Sequence, residues 1–435
     1  MGKIKVSILG SLFGLLLSCG QEKQKEWVIT LTNPTQTELT QKAITINREE
    51  FNSQAGFYPL LLDAQGDTIP SQVDDINGGG TWDELFFLVD IPAAGETVLT
   101  VKPSEDRVDH APKTAVRFGK RDGATDPVEP RLGDTLYADQ LPRSIGYQPY
   151  QTDGPSWEND KVGFRHYLDG RNSKDVFGKK VPYMSPPDVG INAQGAVEDN
   201  YHVMLDWGRD ILPVGNSVGI GGIALARGDA MYRLGVTVQD TVNNVDTTIF
   251  RVKRTGPLRS VLDFRYRNWE AGGHRYNVAE RPAIWAGMYG YQNTVSIDGL
   301  QAKDTLLVGL VNIFSSEQPR EINIDDKYVV LYTHDRQTYE QEWWLGLGLI
   351  LPYDRYEGYT DAPKSGLLAN SYMAKLYVGD NEPVSYYAVA GWELSDAGFR
   401  NREYFENYIV GLARQLAVDV TVAVSPFHPS RSGQD

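Results

Sequence analysis

The residues best able to do chemistry are concentrated between Gly154 and Lys180, where the chain reads GPSWENDKVGFRHYLDGRNSKDVFGKK. Glu158, Asn159, Asp160, Lys161, Arg165 and His166 stand there beside Trp157 and Tyr167. Run as one strand, the segment places Trp157, Asn159, Lys161, Arg165 and Tyr167 on one face. Glu158, Asp160, Val162, Phe164 and His166 take the other. The first face makes a poor core but a good floor for a sugar acid, because aromatic planes stack on pyranose rings and Lys or Arg holds a carboxylate. A salt-bridged, solvated strand face accounts for the same residues without a ligand; the density of polar types around Trp157 favours the site.

A second cluster spans Tyr201 to Asp210, YHVMLDWGRD. On a strand, His202, Met204 and Asp206 share a face, and a His–carboxylate pair fixes a tautomer and tunes a base. A hydrogen-bonded structural histidine is the plainer alternative. The glycines of Val214–Gly222 have no following helix, so they suit a tight turn or a close backbone approach rather than a dinucleotide loop. Arg227, Asp229 and Arg233 add charge beside them. A third cluster joins His274–Asn277 to Trp285–Tyr291, with Tyr289 and Tyr291 on one face as acid, base or stacking platform. Ordinary sheet packing also uses such tyrosines. Trp343, Trp344 and Trp392 read as core.

Other chemistries lack their residues. His166, His202, His274 and His334 are scattered, with no HExxH pair and no DxDxDG loop, so no metal is expected. A GxSxG elbow is missing, and nothing signals a cofactor. What remains is acid–base work by Lys, His, Tyr and Arg, suited to proton abstraction beside a carboxylate.

The elements that must position these groups are strands. Short Val/Ile/Leu/Thr/Tyr runs bounded by Gly, Asp, Asn and Pro recur from Val28–Thr32 to Val418–Val424. Phe399–Ala417 breaks the pattern with apolar residues at helical spacing and Asp396 as a candidate N-cap. The expected fold is mainly β, a sandwich with one C-terminal amphipathic helix. Residues 27–110 are expected to form an N-terminal sandwich portion and 111–429 the main catalytic domain.

The chain has 435 residues, a net charge of −15 and a single cysteine. Without a basic stripe to neutralise phosphates, nucleic acid is not an expected partner. Residues 1–19, MGKIKVSILGSLFGLLLSC, combine two lysines with an apolar run too short to cross a bilayer. The run ends at Cys19 and resembles a bacterial lipobox, which implies acylation of that sulfur, a tether over 20–26, and a protein in the cell envelope held to the outer membrane by its lipid alone.

Three stretches together resemble Bacteroidetes lipoproteins encoded in polysaccharide-utilisation loci, which share a domain of unknown function and include an ulvan oligosaccharide dehydratase. They are WENDKVGFRHYLDG with DVFGKK, YHVMLDWGRDIL with VGNSVGIGGIAL, and the lipobox. The segments NPTQTELTQKAITI, DAQGDTIPSQVDD and ELFFLVDIPAAGETVL are similar to the start of galactose-mutarotase-like supersandwich domains. The resemblance implies loss of water across C4–C5 of a terminal uronic acid of an oligosaccharide. For that reaction the carboxylate must be neutralised and the enolate stabilised. On residue chemistry, Arg165 is the expected clamp, His202 or Lys161 the base, and Tyr291 or His166 the acid. Trp157 would stack the ring, and Glu158, Asn159, Asp206 and Asp210 would bind hydroxyls or orient the catalytic groups, with Arg233, His274 and Tyr289 as further substrate contacts. A polysaccharide lyase, a glycoside hydrolase, an epimerase and a non-catalytic glycan-binding lipoprotein are the alternatives.

Overall fold

The computed structural model describes residues 25–51 and 56–428. Period-two burial builds its largest sheet. Along His274–Trp285, for example, Tyr276, Val278, Glu280, Pro282 and Ile284 are buried while the residues between them are not. That strand lies in a nine-stranded antiparallel sheet. Its order is Gly133–Tyr137, Val245–Arg254, Arg259–Ala271, His274–Trp285, Gly290–Asp298, Val384–Trp392, Leu345–Pro352, Tyr328–Asp335 and Arg320–Ile324.

Two five-stranded sheets share a hydrophobic core with it. The first runs Gly208–Asp210, Lys174–Lys179, Val162–His166, Ser156–Asn159, Thr114–Arg117; the second runs Ala230–Arg233, Ile223–Arg227, Asp304–Val311, Ser371–Leu376, Tyr356–Asp361. Mainly antiparallel β structure in large packed sheets is therefore the architecture, as the residue pattern indicates. The glycines after Val214 let these layers meet. A Cβ on Gly221, whose φ is +70°, would sit 2.6 Å from the Tyr291 hydroxyl, and one on Gly219 would strike the Lys174 carbonyl.

The amphipathic helix is Arg402–Ala417, buried through Phe405, Ile409 and Ala413 at four-residue spacing. It beds onto Gly346 and Gly348, where a Cβ would collide with Phe405 and Ile409. Its N-cap is Asn401, whose side chain accepts from Tyr404 N. Asp396 instead caps the short turn Ala397–Arg400 just before, because the chain bends between the two.

Near the N-terminus a four-stranded and a three-stranded sheet enclose a separate core around Trp27, Phe51, Phe57 and Trp82. Buried Asp74 ties this unit to the main sheet through Arg254 at 3.0 Å and through Arg259. The last described strand, Thr421–Pro426, does not join the sheets of its sequence neighbours; it pairs with Trp27–Thr32 in the N-terminal sheet.

Candidate active site

The Gly154–Lys180 segment is a meander of three strands, not one. Ser156–Asn159 and Val162–His166 form a hairpin with Trp157 opposite Phe164 and Ser156 opposite Arg165. Residues directly opposed share a face, so the turn at Asp160–Lys161 reverses the parity and puts Trp157 and Arg165 on opposite faces. Trp157, Phe164, His166 and Lys174 point into the core. Arg165, Asp175, Phe177 and Asp210, aligned by the next two pairings, occupy the outer face. Over it lies the loop that carries Tyr201 and Trp207, both packed on Phe177.

Arg165 is the centre of that outer face and is fully buried. Its guanidinium donates to both oxygens of Asp175 and, at 2.7 Å, to Asp210 Oδ2, and Asp153 lies 3.7 Å away. Tyr167, Tyr201 and Phe177 supply aromatic faces around it. Fully buried and turned to Asp175, Asp210, Tyr167 and the Thr152 carbonyl, Arg165 is not the clamp that its residue type suggests. It is the electrostatic keystone beneath the site.

Above the keystone, His202 closes the one-turn 3-10 segment Asn200–His202. Its side chain is 40% exposed, with Nδ1 3.5 Å from Asp210 Oδ2. That distance orients the ring without making a tight hydrogen bond and leaves Nε2 for a ligand. Burial, followed by the nearby Arg165 charge, pulls its pKa below the ordinary histidine value, so the imidazole is neutral at neutral pH and competent as a base. Burial and the Asp175 charge push Asp210 well upward, while Arg165 opposes them.

Tyr339 stands edge-on to His202, ring centroids 5.6 Å apart. Burial and the charges of Asp210 and Asp175 raise its phenol, which stays protonated and able to donate. Arg209 lies over the rings of Trp343 at 5.7 Å and Tyr339 at 6.0 Å. Its Nε donates to the Asp210 carbonyl, and it has no carboxylate partner among the described residues. Backbone strain flanks the site on both sides: Thr152 and Asp153 have φ of 50° and 58°, Glu340 and Gln341 58° and 54°. Paired left-handed residues of these types are costly and concentrate at functional sites. A neutral base and a guanidinium without a carboxylate partner are thus linked through Tyr339, whose ring meets both His202 and Arg209.

The family model described as Domain of unknown function (DUF4861) matches residues 31–422. The chain belongs to that family. Among its relatives is Uncharacterized protein P7 of Formosa agariphila, 22% identical over 431 residues, with 94% of this chain and 96% of that one covered. Two solved structures resemble it distantly. An α-mannosidase from Enterococcus faecalis V583 gives a TM-score of 0.47 at 10% identity, covering 93% of this chain and 46% of that one. A glycosyl hydrolase family 38 protein from Enterococcus faecalis gives 0.46 at 9%, covering 94% and 48%. The chain spans about half the length of these two.

In this family member, several residues expected at the site serve the fold instead. Trp157 and Tyr291 are fully buried against each other, and the Tyr291 hydroxyl donates to Ile220 O at 3.0 Å. Neither can touch a sugar. His166 is buried beside Phe264 and Tyr266, and burial holds it well below the usual histidine range. Glu158 pairs with Lys179 and accepts from Ser185. Asn159 clamps the hairpin turn through Lys161 N, Val162 N and the carbonyls of Trp285 and Met288. Arg233 is buried and donates to the carbonyls of Arg171, Asn216 and Ser217.

Lys161 sits at the hairpin turn over Tyr289, 5.7 Å from its centroid, at the end away from Arg165. Tyr289 itself is buried against Phe399 and Tyr408. His274 is exposed at a hairpin turn of the large sheet, and Asp206 is exposed in the loop after His202 rather than on a shared strand face. Of the expected set, the structure therefore brings together Arg165, His202 and Asp210. Sequence reasoning missed Tyr339 and Arg209, and it took Trp343 for core. Cys19 lies outside the described residues.

A groove of about 580 Å³ lies elsewhere, beside Trp285 and the C-terminal helix. Neither a histidine nor a carboxylate lines it.

Proposed function

We propose that this protein is a carbohydrate-active hydro-lyase that removes water from a terminal uronic acid of an oligosaccharide. The observation that carries the reading is the half-exposed His202, oriented by buried Asp210 and flanked by Tyr339 and the unpaired Arg209. Arg209 would hold the uronate carboxylate, neutralising the charge that otherwise opposes loss of the C5 proton. His202 Nε2 would take that proton, and the C5–H electrons would form the C4=C5 double bond as the C4–O bond breaks. Tyr339 would give its proton to the departing hydroxyl, which leaves as water. Solvent then returns a proton from His202 to Tyr339, so one water is lost per turnover. Trp343 and Tyr339 would offer the stacking surface that Trp157 cannot.

The test is mass spectrometry of uronate-terminated oligosaccharides incubated with residues 20–435. The expected product is lighter by one water, uncleaved and newly ultraviolet-absorbing. Split fragments would replace the reading with a glycan lyase or hydrolase, and an unchanged panel would reject catalysis on these substrates. The proposal includes export and acylation at Cys19. Cys19→Ala should move the protein from the membrane to the soluble fraction on cell fractionation, and unchanged membrane association would refute the lipid anchor.

A further inference from the structure

The groove beside the C-terminal helix shares no lining residue with the His202 site. It opens where the Thr40–Thr45 stretch, the Trp285–Met288 turn and the Arg402–Ala417 helix meet. Half-buried Trp285 stands in it, braced at 90° by Tyr387 with ring centroids 6.1 Å apart. Around the ring stand the amides of Gln41, Gln292, Asn407 and Gln415.

Its two cations are committed to the protein. Lys42 Nζ donates to the carbonyls of Gln415 and Val418 at the helix end, and Arg259 is paired with Asp74 and Glu84. A carboxylate is absent from the lining. An aromatic face rimmed by neutral hydrogen-bonding groups, with no free charge, matches an uncharged pyranose better than a sugar acid.

A second observation comes from the helix. Gly411 lies in its interior with ordinary helical backbone, and a Cβ there would meet nothing within 4 Å. Glycine at such a position destabilises a helix relative to alanine, and neither packing nor φ requires it here. What its missing side chain preserves is open space over the groove, where a ligand can approach the backbone.

We infer that this groove is a carbohydrate-binding site for a neutral segment of an oligosaccharide, separate from the His202 surface. It rests on the groove's own residues and stands whether or not His202 performs an elimination. The test is titration calorimetry of residues 20–435 with xylohexaose, mannohexaose, cellohexaose, maltohexaose and hexagalacturonate. At least one neutral hexasaccharide should bind. Trp285→Ala and Gly411→Trp should each weaken it about tenfold or more. Gly411→Trp projects into empty space, so it blocks the groove with the fold intact, which circular dichroism verifies. Failure of all four neutral sugars to bind, undiminished binding by Gly411→Trp, or equally tight groove binding of hexagalacturonate would overturn the inference.

Discussion

Arg165→Met removes the cation that compensates two buried carboxylates. In the native protein Asp175 and Asp210 are both fully buried, and Arg165 donates to each. Removing one partner of a buried ion pair costs ~3–5 kcal/mol because the other charge is stranded. Two charges are stranded here, so the loss should reach ~5 kcal/mol or more, against a total stability of ~5–15 kcal/mol for a typical domain. Guanidinium denaturation followed by tryptophan fluorescence measures it. The loss should also depend on pH with a defined sign. Burial and Asp175 already raise Asp210, and Arg165 is what restrains it. Without Arg165 its folded pKa rises further above the unfolded value of ~3.9, so the folded state gains a proton more readily. The variant should then be weakest at neutral pH and recover as the pH falls toward ~4. Arg165→Met combined with Asp210→Asn should recover part of the loss even at pH 7. A single variant within ~1 kcal/mol of the parent and flat with pH would refute the keystone role.

His202→Ala should lower turnover of uronate-terminated oligosaccharides by ~10²–10⁴-fold with little change in the denaturation midpoint. In the parent, the acid limb of kcat/KM should lie below the free-histidine value of ~6.5, because burial and Arg165 depress His202 and protonation abolishes the base; a limb above that value would contradict the assignment. Arg209→Met should raise KM by ~10–100-fold, as expected for a lost charge-assisted contact. It should also shift the acid limb upward, since Arg209 is among the cations that lower His202; an unmoved KM and limb would exclude Arg209 from the site. Gly411→Ala should raise stability by ~0.5–1 kcal/mol in the same denaturation assay, and a destabilised variant would mean that Gly411 has a packing role.

Strand identity was legible in runs of branched apolar residues, as at Asp304–Val311; the alternating strand from Tyr276 to Ile284, interrupted by charged residues and Pro282, was not read as one. The helix marked by Phe405, Ile409 and Leu412 was legible too. Its true cap was not, because Asp396 and Asn401 are both good capping residues and only the bend between them decides. The candidate site was partly legible. His202 was expected beside a carboxylate, but that of Asp206; the fold exposes Asp206 and sets Asp210 beside the ring instead. The face of Arg165 was misjudged because one hairpin turn, at Asp160 and Lys161, inverts every assignment that assumes uninterrupted alternation. Residue type also cannot distinguish an arginine committed to the protein from one left for a ligand: Arg165 and Arg209 differ in their burial and in the carboxylates the fold places beside them. Tyr339 reaches His202 from a distant turn docked through Tyr339 N on Ile211 O, a contact no local pattern encodes.

The pairing of Thr421–Pro426 with Trp27–Thr32 bears on the order in which the molecule is assembled. During synthesis, the first strand emerges almost four hundred residues before the strand that will flank it. Until then Trp27–Thr32, hydrogen-bonded on its other side to Glu96–Ser104, presents a bare edge able to pair with another chain. The N-terminal sheet therefore cannot be completed as an early, self-contained step. Its last closure joins Trp27–Thr32 to Thr421–Pro426 at very large sequence separation, the kind of contact that slows folding. Loss of the last strand by proteolysis would reopen that edge in an otherwise finished protein, so nicking after Val418 should promote self-association well before it unfolds the sheets around His202.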